Sequence, residues 1–273
     1  MDSAKPGIVR KLCGALHWRA VRAYSAKSVT STLTAPIVSV TFDDFPKSAL
    51  HVGGAILESV GARGTYFVSA AFSLPRMDLG SDRLPTVQYF EPDDITEAVR
   101  RGHEIGCHTF DHSNVATLSG TELATTIAKN AEFLHGLVGD CQVESFAYPR
   151  GLAGFTAKRL LARRFTSCRG TLPGVNHGSV DLSQLKCVDL ASHSLARQPM
   201  DRLVEHCIAT NGWLIFDVHD ISDTPSRWGC TPALLHSLVA LLSRRGVEIL
   251  PVRDACNRLT GSATPHSANS RDL

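Results

Sequence analysis

The sequence contains no long hydrophobic run and little net charge. No stretch approaches the roughly 20 apolar residues that span a bilayer, and the N-terminus lacks the apolar core and the cleavage site of a secretory signal. The 28 basic residues barely exceed the 26 acidic ones, so the net charge gives no reason to expect a nucleic acid partner. These absences favour a cytoplasmic protein without a transmembrane segment.

Regular cysteine spacing, internal repeats and a phosphate-binding loop are also missing. The eight cysteines form no C-x-x-C pair, which argues against a zinc ribbon or a small disulfide scaffold, and we expect reduced thiols that are mostly buried. The segment GARG at 61–64 follows a predicted helix instead of a strand, so it does not fit a dinucleotide site. With 43% hydrophobic residues in a chain of 273, the composition is that of a globular protein with a substantial core.

Three regions are predicted along the chain. Residues 34–260 form a single domain, and the composition of residues 261–273 predicts a disordered tail. Residues 1–33 form a basic helical extension. Its basic residues are Lys5, Arg10, Lys11, Arg19, Arg22 and Lys27. Two interpretations of this extension stay open: a helix packed on the outside of the domain, or weak contact with an anionic membrane surface.

Short apolar runs alternate with amphipathic segments within the domain. Strands are predicted at 37–43, 65–69, 103–107, 145–148, 165–169, 213–218 and 247–250. Helices are predicted at 48–60, 93–101, 120–136, 155–163, 199–210 and 231–244. Strands that alternate with helices predict an α/β fold with a parallel sheet, either closed into a barrel or open and doubly wound.

Two adjacent carboxylates end the first predicted strand. Successive side chains of a strand point to opposite faces, so Asp43 and Asp44 in VTFDDFP point apart where the strand ends. Like charges this close resist joint ionisation unless a cation or a hydrogen-bond donor lies nearby. The pair therefore indicates a cation site. A second interpretation is that Asp44 or Ser48 caps the following helix.

Histidines and arginines also follow predicted strands. The loops after parallel strands converge at one edge of a barrel, where active sites are assembled. His108 and His112 are four apart in CHTFDH, so both imidazoles lie on one face if the chain turns helically after Cys107. With Asp44 they can then bind a divalent ion and leave positions open for water and substrate.

The motifs TFDD, HTFDH, FAYPRG and LIFDVHD resemble those of the polysaccharide deacetylase family, the NodB-homology enzymes, in order and in approximate spacing. The resemblance covers roughly residues 36–252. It implies a distorted (β/α) barrel of about seven parallel strands and a divalent metal, often zinc, held by one Asp and two His. Co²⁺, Ni²⁺ and Mn²⁺ are alternatives. It also implies removal of acetyl groups from N-acetylated sugars by attack of a metal-bound water.

The family pattern assigns roles to five residues. Asp44, His108 and His112 are the expected metal ligands. Asp43 is the expected general base, which takes the proton of the water. His219 is the expected general acid, which protonates the leaving amine.

The third motif departs from the Arg-x-Pro-Tyr of many relatives. Ala147 stands at the usual arginine position and Arg150 at the usual tyrosine position. Tyr148 and Arg150 are candidates for contacts with substrate or oxyanion, because a backbone N–H survives any change of side chain. Arg169, at the end of the adjacent predicted strand, is the expected substitute that forms an ion pair with Asp43 and fixes its orientation.

Other polar residues near the last motif have open roles. Asp181 and Asp189 are both candidates to orient His219, and the sequence does not choose between them. Asp217 occupies a position that is usually apolar or aromatic in relatives, where it either lines the cleft or faces outward. Trp228 either stacks on a sugar or packs on its own domain.

The sequence thus predicts a hydrolase of linear amide C–N bonds that deacetylates N-acetylhexosamine units of an oligo- or polysaccharide, such as a chito-oligosaccharide. One alternative is an amidohydrolase of the same fold that acts on a small non-sugar amide. Another is a catalytically inactive carbohydrate-binding relative. The inactive relative predicts the loss of Asp43 or of a metal ligand, and all of these residues are present.

Overall fold

A curled parallel β-sheet organises the protein. The structure, a computed structural model, describes residues 16–75, 77–139, 142–195 and 199–262. The strands are β1 (Ser28–Thr30), β2 (Ile37–Asp43), β3 (Thr65–Val68), β4 (Glu104–Cys107), β5 (Ser145–Ala147), β6 (Ser167–Arg169), β7 (Ser179–Asp181), β8 (Val188–Asp189), β9 (Trp213–Val218) and β10 (Glu248–Ile249). β1 and β7 form a separate antiparallel pair, and the other eight strands form the main sheet.

The main sheet is parallel and has the order β6-β5-β4-β3-β2-β9-β8, with β10 beside the first residues of β2. β2 lies inside the sheet between β3 and β9, and all seven of its residues are buried, as expected for a strand covered on both faces. The strand order ends at β6 and β8, so the sheet curls into a half-barrel.

Helices connect the strands and pack against the sheet. They are α1 (Ala55–Glu58), which follows a π-helical turn at Ala49–Gly54, α2 (Pro92–Arg100), α3 (Gly120–Val138), α4 (Phe155–Arg164), α5 (Ser192–Leu195), α6 (Met200–Ala209), α7 (Pro232–Arg244) and α8 (Val252–Thr260). At the start of α3, Ser119 and Glu122 form a reciprocal capping box, which explains why the helix begins there. No helix in the described ranges is long and apolar enough to cross a membrane.

The main elements agree with the sequence prediction. All seven predicted strands are present, and the six predicted helical segments lie close to the observed bounds. The predicted α/β fold with about seven parallel strands is confirmed, with the barrel half open. The sequence analysis missed β1, β7, β8, α5 and α8. Four of these have only two to four residues, too few to show a periodic pattern.

The described part of the predicted N-terminal extension packs against the domain. Residues 16–23 are helical, and Val21 is buried in a cluster with Leu161 and Phe165. β1 then pairs with β7. The predicted helix over residues 1–15, and the predicted tail beyond residue 262, lie outside the described residues, and the domain limits stay predictions.

Candidate active site

A cavity of about 570 Å³ opens at the carboxyl ends of the central strands. It is lined by all five residues to which the sequence analysis assigned metal or proton-transfer roles. These are Asp43, Asp44, His108, His112 and His219. They come from β2, from the loop after β4 and from the loop after β9. The fold therefore brings the predicted residues to one place, at the sheet edge where loops of parallel strands converge.

The chain leaves β2 through an unusual turn. Asp44 and Phe45 follow the strand with φ values of 60° and 48°, in the left-handed region that non-glycine residues rarely adopt. Phe45 is fully buried and packs on the rings of Tyr66 and Phe90, with centroids 4.6 and 5.3 Å away. Burial of this ring holds the turn that presents Asp44 to the cavity.

The loop after β4 brings two imidazoles to Asp44. The sequence analysis placed both imidazoles on one face if the chain turned helically here, and the chain does not do so: Thr109 and His112 have φ values of 63° and 53°. The Thr109 hydroxyl accepts a hydrogen bond from Ser113 N and closes the loop. The Nε2 atoms of His108 and His112 lie 3.7 and 3.6 Å from Asp44 Oδ1.

Each imidazole is oriented through its other nitrogen. His108 Nδ1 lies 2.8 Å from the carbonyl oxygen of Ala147, and His112 Nδ1 lies 2.8 Å from Asp82 Oδ2. A carbonyl oxygen can only accept a hydrogen bond, so His108 Nδ1 carries the proton. The Asp82 carboxylate fixes the same tautomer of His112. Both Nε2 atoms are then free to bind a cation.

The residues present fit a divalent metal. One ligand atom from each of Asp44, His108 and His112 lies within 4.8 Å of the other two, and all three residues are buried. Asp44 Oδ1 is buried and accepts no hydrogen bond from any described residue, which leaves it available to a cation. Two imidazoles and one carboxylate suit zinc and related transition metals. Ser48 does not cap the following helical turn; its hydroxyl accepts from Ile221 N instead.

The predicted ion pair between Arg169 and Asp43 is present. Arg169 is fully buried, and its Nη2 donates to both oxygens of the Asp43 carboxylate. Arg169 Nη1 also lies 3.5 Å from Asp217 Oδ2. Asp217 accepts a hydrogen bond from the Cys187 thiol, 3.1 Å away. The guanidinium is thus held between two carboxylates, and Asp217 lines the cavity instead of facing outward.

The surroundings set different pKa values for these groups. Burial alone would raise the pKa of Asp43, but the Arg169 guanidinium and two imidazoles lower it to about 2. Burial lowers the pKa of His108 to about 4. For His112, burial is outweighed by Asp44 and Asp82, and the pKa is raised. Burial raises the pKa of Asp217. Asp43 is therefore ionised and His108 neutral near pH 7.

Asp82 is a site residue that the sequence analysis missed. It ends a short 3₁₀ turn, Gly80–Asp82, in the loop between β3 and α2. Its carboxylate contacts His112 and also forms an ion pair with Arg150. Thirty residues separate Asp82 from His112, and no motif surrounds it, so the sequence carried no signal for this contact.

The two candidates in the third motif differ in placement. Arg150 lines the cavity, has a φ of 58° and is paired with Asp82. Tyr148 does not reach the cavity: it is 1% exposed, and its hydroxyl donates to Ser183 O, 2.8 Å away. The prediction that the Tyr148 side chain contacts substrate is corrected accordingly, because this ring belongs to the core.

The residues around His219 are now placed. Its Nε2 lies 3.7 Å from Asp44 Oδ2, and its ring lies 6.3 Å from that of Trp228. Asp181 is paired with Lys158 and does not line the cavity, whereas Asp189 does. Trp228 is partly exposed at the cavity, and the Arg227 guanidinium lies over its ring at 4.3 Å.

Comparisons with known proteins identify similar sequences and similar folds. A family model described as "Polysaccharide deacetylase" matches residues 30–164. A "Probable peptidoglycan-N-acetylglucosamine deacetylase" from Arthroderma benhamiae is 30% identical over 92 residues, which are 34% of this chain and only 18% of the fungal protein.

Solved structures share the fold at low sequence identity. A family 4 acetyl xylan esterase from Clostridium thermocellum, in complex with a cobalt ion, has a TM-score of 0.57 and 20% identity, covering 83% of this chain and 93% of that one. A CE4 family pseudoenzyme from Bacillus anthracis has a TM-score of 0.54 and 14% identity, covering 82% of this chain and 66% of that one. Residues 30–164 thus match the polysaccharide deacetylase family, and the chain shares the fold of these solved structures.

Proposed function

We propose that the protein is a metal-dependent hydrolase that removes N-acetyl groups from N-acetylhexosamine units of an oligo- or polysaccharide. One observation supports this proposal most directly. A buried Asp-His-His cluster with an unpartnered carboxylate oxygen lies beside an ionised, arginine-bound aspartate and a partly exposed histidine in the same cavity. Hydrolytic metal sites need this combination of ligands, base and acid.

Asp44, His108 and His112 would hold the metal, with zinc the first choice and Co²⁺, Ni²⁺ or Mn²⁺ as alternatives. A divalent ion bound there supplies Lewis acidity, which polarises a carbonyl oxygen and makes water more acidic. The hydrogen bonds from His108 to Ala147 O and from His112 to Asp82 keep both Nε2 atoms directed at Asp44.

Asp43 is the general base in this proposal. Its low pKa means that the carboxylate is ionised throughout the neutral range, so it can accept a proton from the attacking water. Arg169 binds both carboxylate oxygens and fixes their direction. Since small displacements of a catalytic group cost rate steeply, this fixed orientation matters as much as the charge.

His219 is the general acid. It lines the same cavity as Asp43, its side chain is 22% exposed, and its Nε2 lies on the Asp44 side of the cavity. From there it can deliver a proton to the leaving amine nitrogen. The backbone N–H of Arg150 is the candidate donor to the oxyanion, because Arg150 and Gly151 line the cavity wall.

The mouth of the cavity has features suited to a sugar. Trp228 presents an exposed aromatic ring on which a pyranose can stack, and Arg227 is stacked on the same ring. The volume, about 570 Å³, lies within the range of small-molecule pockets. These features favour a glycan over a small non-sugar amide.

The experiment that tests the proposal measures acetate release from N-acetylglucosamine oligomers and bacterial exopolysaccharides. The protein is first treated with a chelator and then reloaded with single divalent metals. We expect activity to require metal, and Asp43→Asn to lose activity about 10²–10⁴-fold while it retains metal. Activity of Asp43→Asn within a few-fold of wild type contradicts the assigned base. Oligomer binding without acetate release from any substrate supports the inactive relative instead.

A further inference from the structure

A group of exposed hydrophobic side chains lies on one surface outside the cavity. Of the seven large hydrophobic residues exposed in the described ranges, four belong to it: Leu16, Trp18, Tyr24 and Phe155, which are 36–62% exposed. Phe155, at the start of α4, contacts the rings of both His17 and Tyr24, with centroids 5.7 and 5.4 Å away. We call these five residues the aromatic patch. Contiguous exposed apolar surface of this kind marks an interaction site.

Exposed arginines accompany the aromatic patch. Arg159 and Arg163 follow Phe155 by four and eight residues, so they continue the same face of α4. Arg19 and Arg22 lie on the neighbouring helical segment at 16–23. Neither residues 16–24 nor α4 contains an acidic residue, and these four arginines form no ion pair with any described residue. The surface therefore combines apolar groups with uncompensated positive charge.

The patch is firmly attached to the domain. Val21, on the same helical segment, is 1% exposed and packs in the core cluster that contains Leu161. Lys158 of α4 is fully buried, and its ammonium group donates to Tyr24 O and pairs with Asp181, 2.8 Å away. The two elements that carry the patch are therefore joined through packing and hydrogen bonds.

The geometry of the rings decides between two kinds of partner. The planes of Phe155 and His17 cross at 83°, and those of Phe155 and Tyr24 at 59°, so these rings do not form one shared flat face on which a glycan chain could stack. Leu16 and Phe155 also have no polar atom with which to bind a hydroxyl group. Exposed Trp, Phe and Leu beside unpaired arginines are typical of surfaces that insert into the headgroup region of anionic membranes.

We propose that the aromatic patch and its arginines bind the protein peripherally to an anionic lipid bilayer. Phe155 is only four residues beyond Gly151, which lines the cavity, so the Cα atom of Phe155 lies within about 14 Å of that of Gly151. A docked protein would thus hold its cavity close to the bilayer surface. The proposal does not depend on the reaction catalysed.

The test is a flotation assay of the full chain with vesicles of phosphatidylcholine alone or of phosphatidylcholine with phosphatidylglycerol. We expect binding to the anionic vesicles at about 0.1 M salt and release at about 1 M, where the Debye length falls from ~10 to ~3 Å. The double variant Arg159→Gln/Arg163→Gln should lower the partition coefficient about 30-fold, roughly fivefold for each basic residue. The matched control is Arg244→Gln/Arg245→Gln, two exposed arginines at the end of α7.

A second measurement, tryptophan fluorescence, tests whether the apolar side chains of the aromatic patch enter the bilayer. Trp213 is fully buried, so in a Trp228→Phe background the emission change comes from Trp18. We expect a blue shift when anionic vesicles are added, and none with phosphatidylcholine alone. The absence of wild-type binding at about 0.1 M salt overturns the proposal. Equal binding of the arginine variants on α4 and α7, or binding to a soluble anionic polysaccharide but not to vesicles, does so as well.

Discussion

At the residue scale, the arginine that binds Asp43 lies on β6, one strand away from the third motif on β5. The third motif of many relatives has an arginine at the position where this chain has Ala147. In the structure Ala147 is paired in register with Arg169 of β6. A guanidinium on the adjacent strand, at the same height in the sheet, reaches the same carboxylate. The sequence alone suggested Arg169 only because both strands were expected to end at the same edge.

The variant Arg169→Leu tests this pair through the pH dependence of stability. Because the pKa of Asp43 is lowered to about 2, below the unfolded value near 3.9, the ionised carboxylate stabilises the native state above about pH 4. That contribution is lost as the pH falls towards 2. In the variant, Asp43 is buried without its partner, and we expect the free energy of unfolding to fall by about 3–5 kcal/mol at neutral pH.

This loss of unfolding free energy should become smaller as the pH is lowered towards 4, because protonation of Asp43 then removes the unpaired buried charge. Urea denaturation of metal-free protein at several pH values measures this trend. Arg100→Leu is the control: Arg100 pairs with Glu97 on the surface at 2.6 Å, and because solvent screens such a pair, its loss should change the free energy of unfolding little at any of these pH values. A loss for Arg169→Leu that does not change with pH argues against the charge pair as its cause.

Asp82 gives a second prediction at this scale. Its carboxylate orients His112, and removal of such an outer hydrogen bond typically lowers metal affinity 10- to 100-fold (about 1.4–2.7 kcal/mol). Asp82→Asn should therefore weaken zinc binding by about this factor, measured by competition with a coloured chelator. Asp78→Asn is the matched control, because Asp78 lies in the same loop but accepts from Gly80 N. Equal zinc affinities for the two variants would refute the orienting role of Asp82.

At the scale of elements, close packing between β3 and β4 fixes side chains that contact the site residues. Gly106 of β4 leaves no room for a side chain, since a Cβ there would lie 2.5 Å from the Phe67 ring. Phe67 in turn packs beneath the Arg169 guanidinium at 5.2 Å and near His108. A substitution at Gly106 that moves Phe67 therefore also affects Arg169, which binds Asp43.

Replacing this glycine should be destabilising. Gly106→Ala forces the Phe67 ring to move in a filled core, which typically costs about 1–3 kcal/mol. The same substitution at Gly136, in α3 with nothing within 4 Å of a Cβ, should instead stabilise by up to about 1 kcal/mol. Thermal or urea unfolding of the two variants measures the contrast. Equal effects of the same sign would mean that the contact with Phe67 does not determine the cost of a side chain at Gly106.

At the scale of the whole molecule, the core protects the cysteines. The six described cysteines are unpaired and buried: Cys107, Cys168, Cys187, Cys207, Cys230 and Cys256. Burial raises the pKa of Cys107 and of Cys256 to about 11, so little thiolate forms at neutral pH. This placement agrees with the expectation that the thiols are mostly buried.

Thiol titration tests this property of the fold. In the native protein, these six thiols should react with an aromatic disulfide reagent only on the timescale of unfolding, whereas all eight should react at once in guanidinium. The eight include Cys13 and Cys141, which lie outside the described residues. Fewer than eight thiols in guanidinium without reductant would contradict the expectation that the cysteines are reduced.

The sequence by itself determined the alternation of strands and helices and the metal and proton-transfer candidates. Apolar runs and helical periodicity depend on neighbouring residues, and the motifs are short, so both can be read along the chain. Asp43, Asp44, His108, His112 and His219 accordingly lie at one cavity.

Only the tertiary structure decided which distant side chains complete the site. Asp82 reaches His112 across 30 residues, and Asp217 reaches Arg169 across the sheet. It also removed Tyr148 from the cavity and replaced the expected helical turn at His108 with a loop of left-handed residues. The physical reason is common to all four: a side chain's direction depends on local φ and ψ and on the burial of its neighbours, and both are settled only when separate segments pack together.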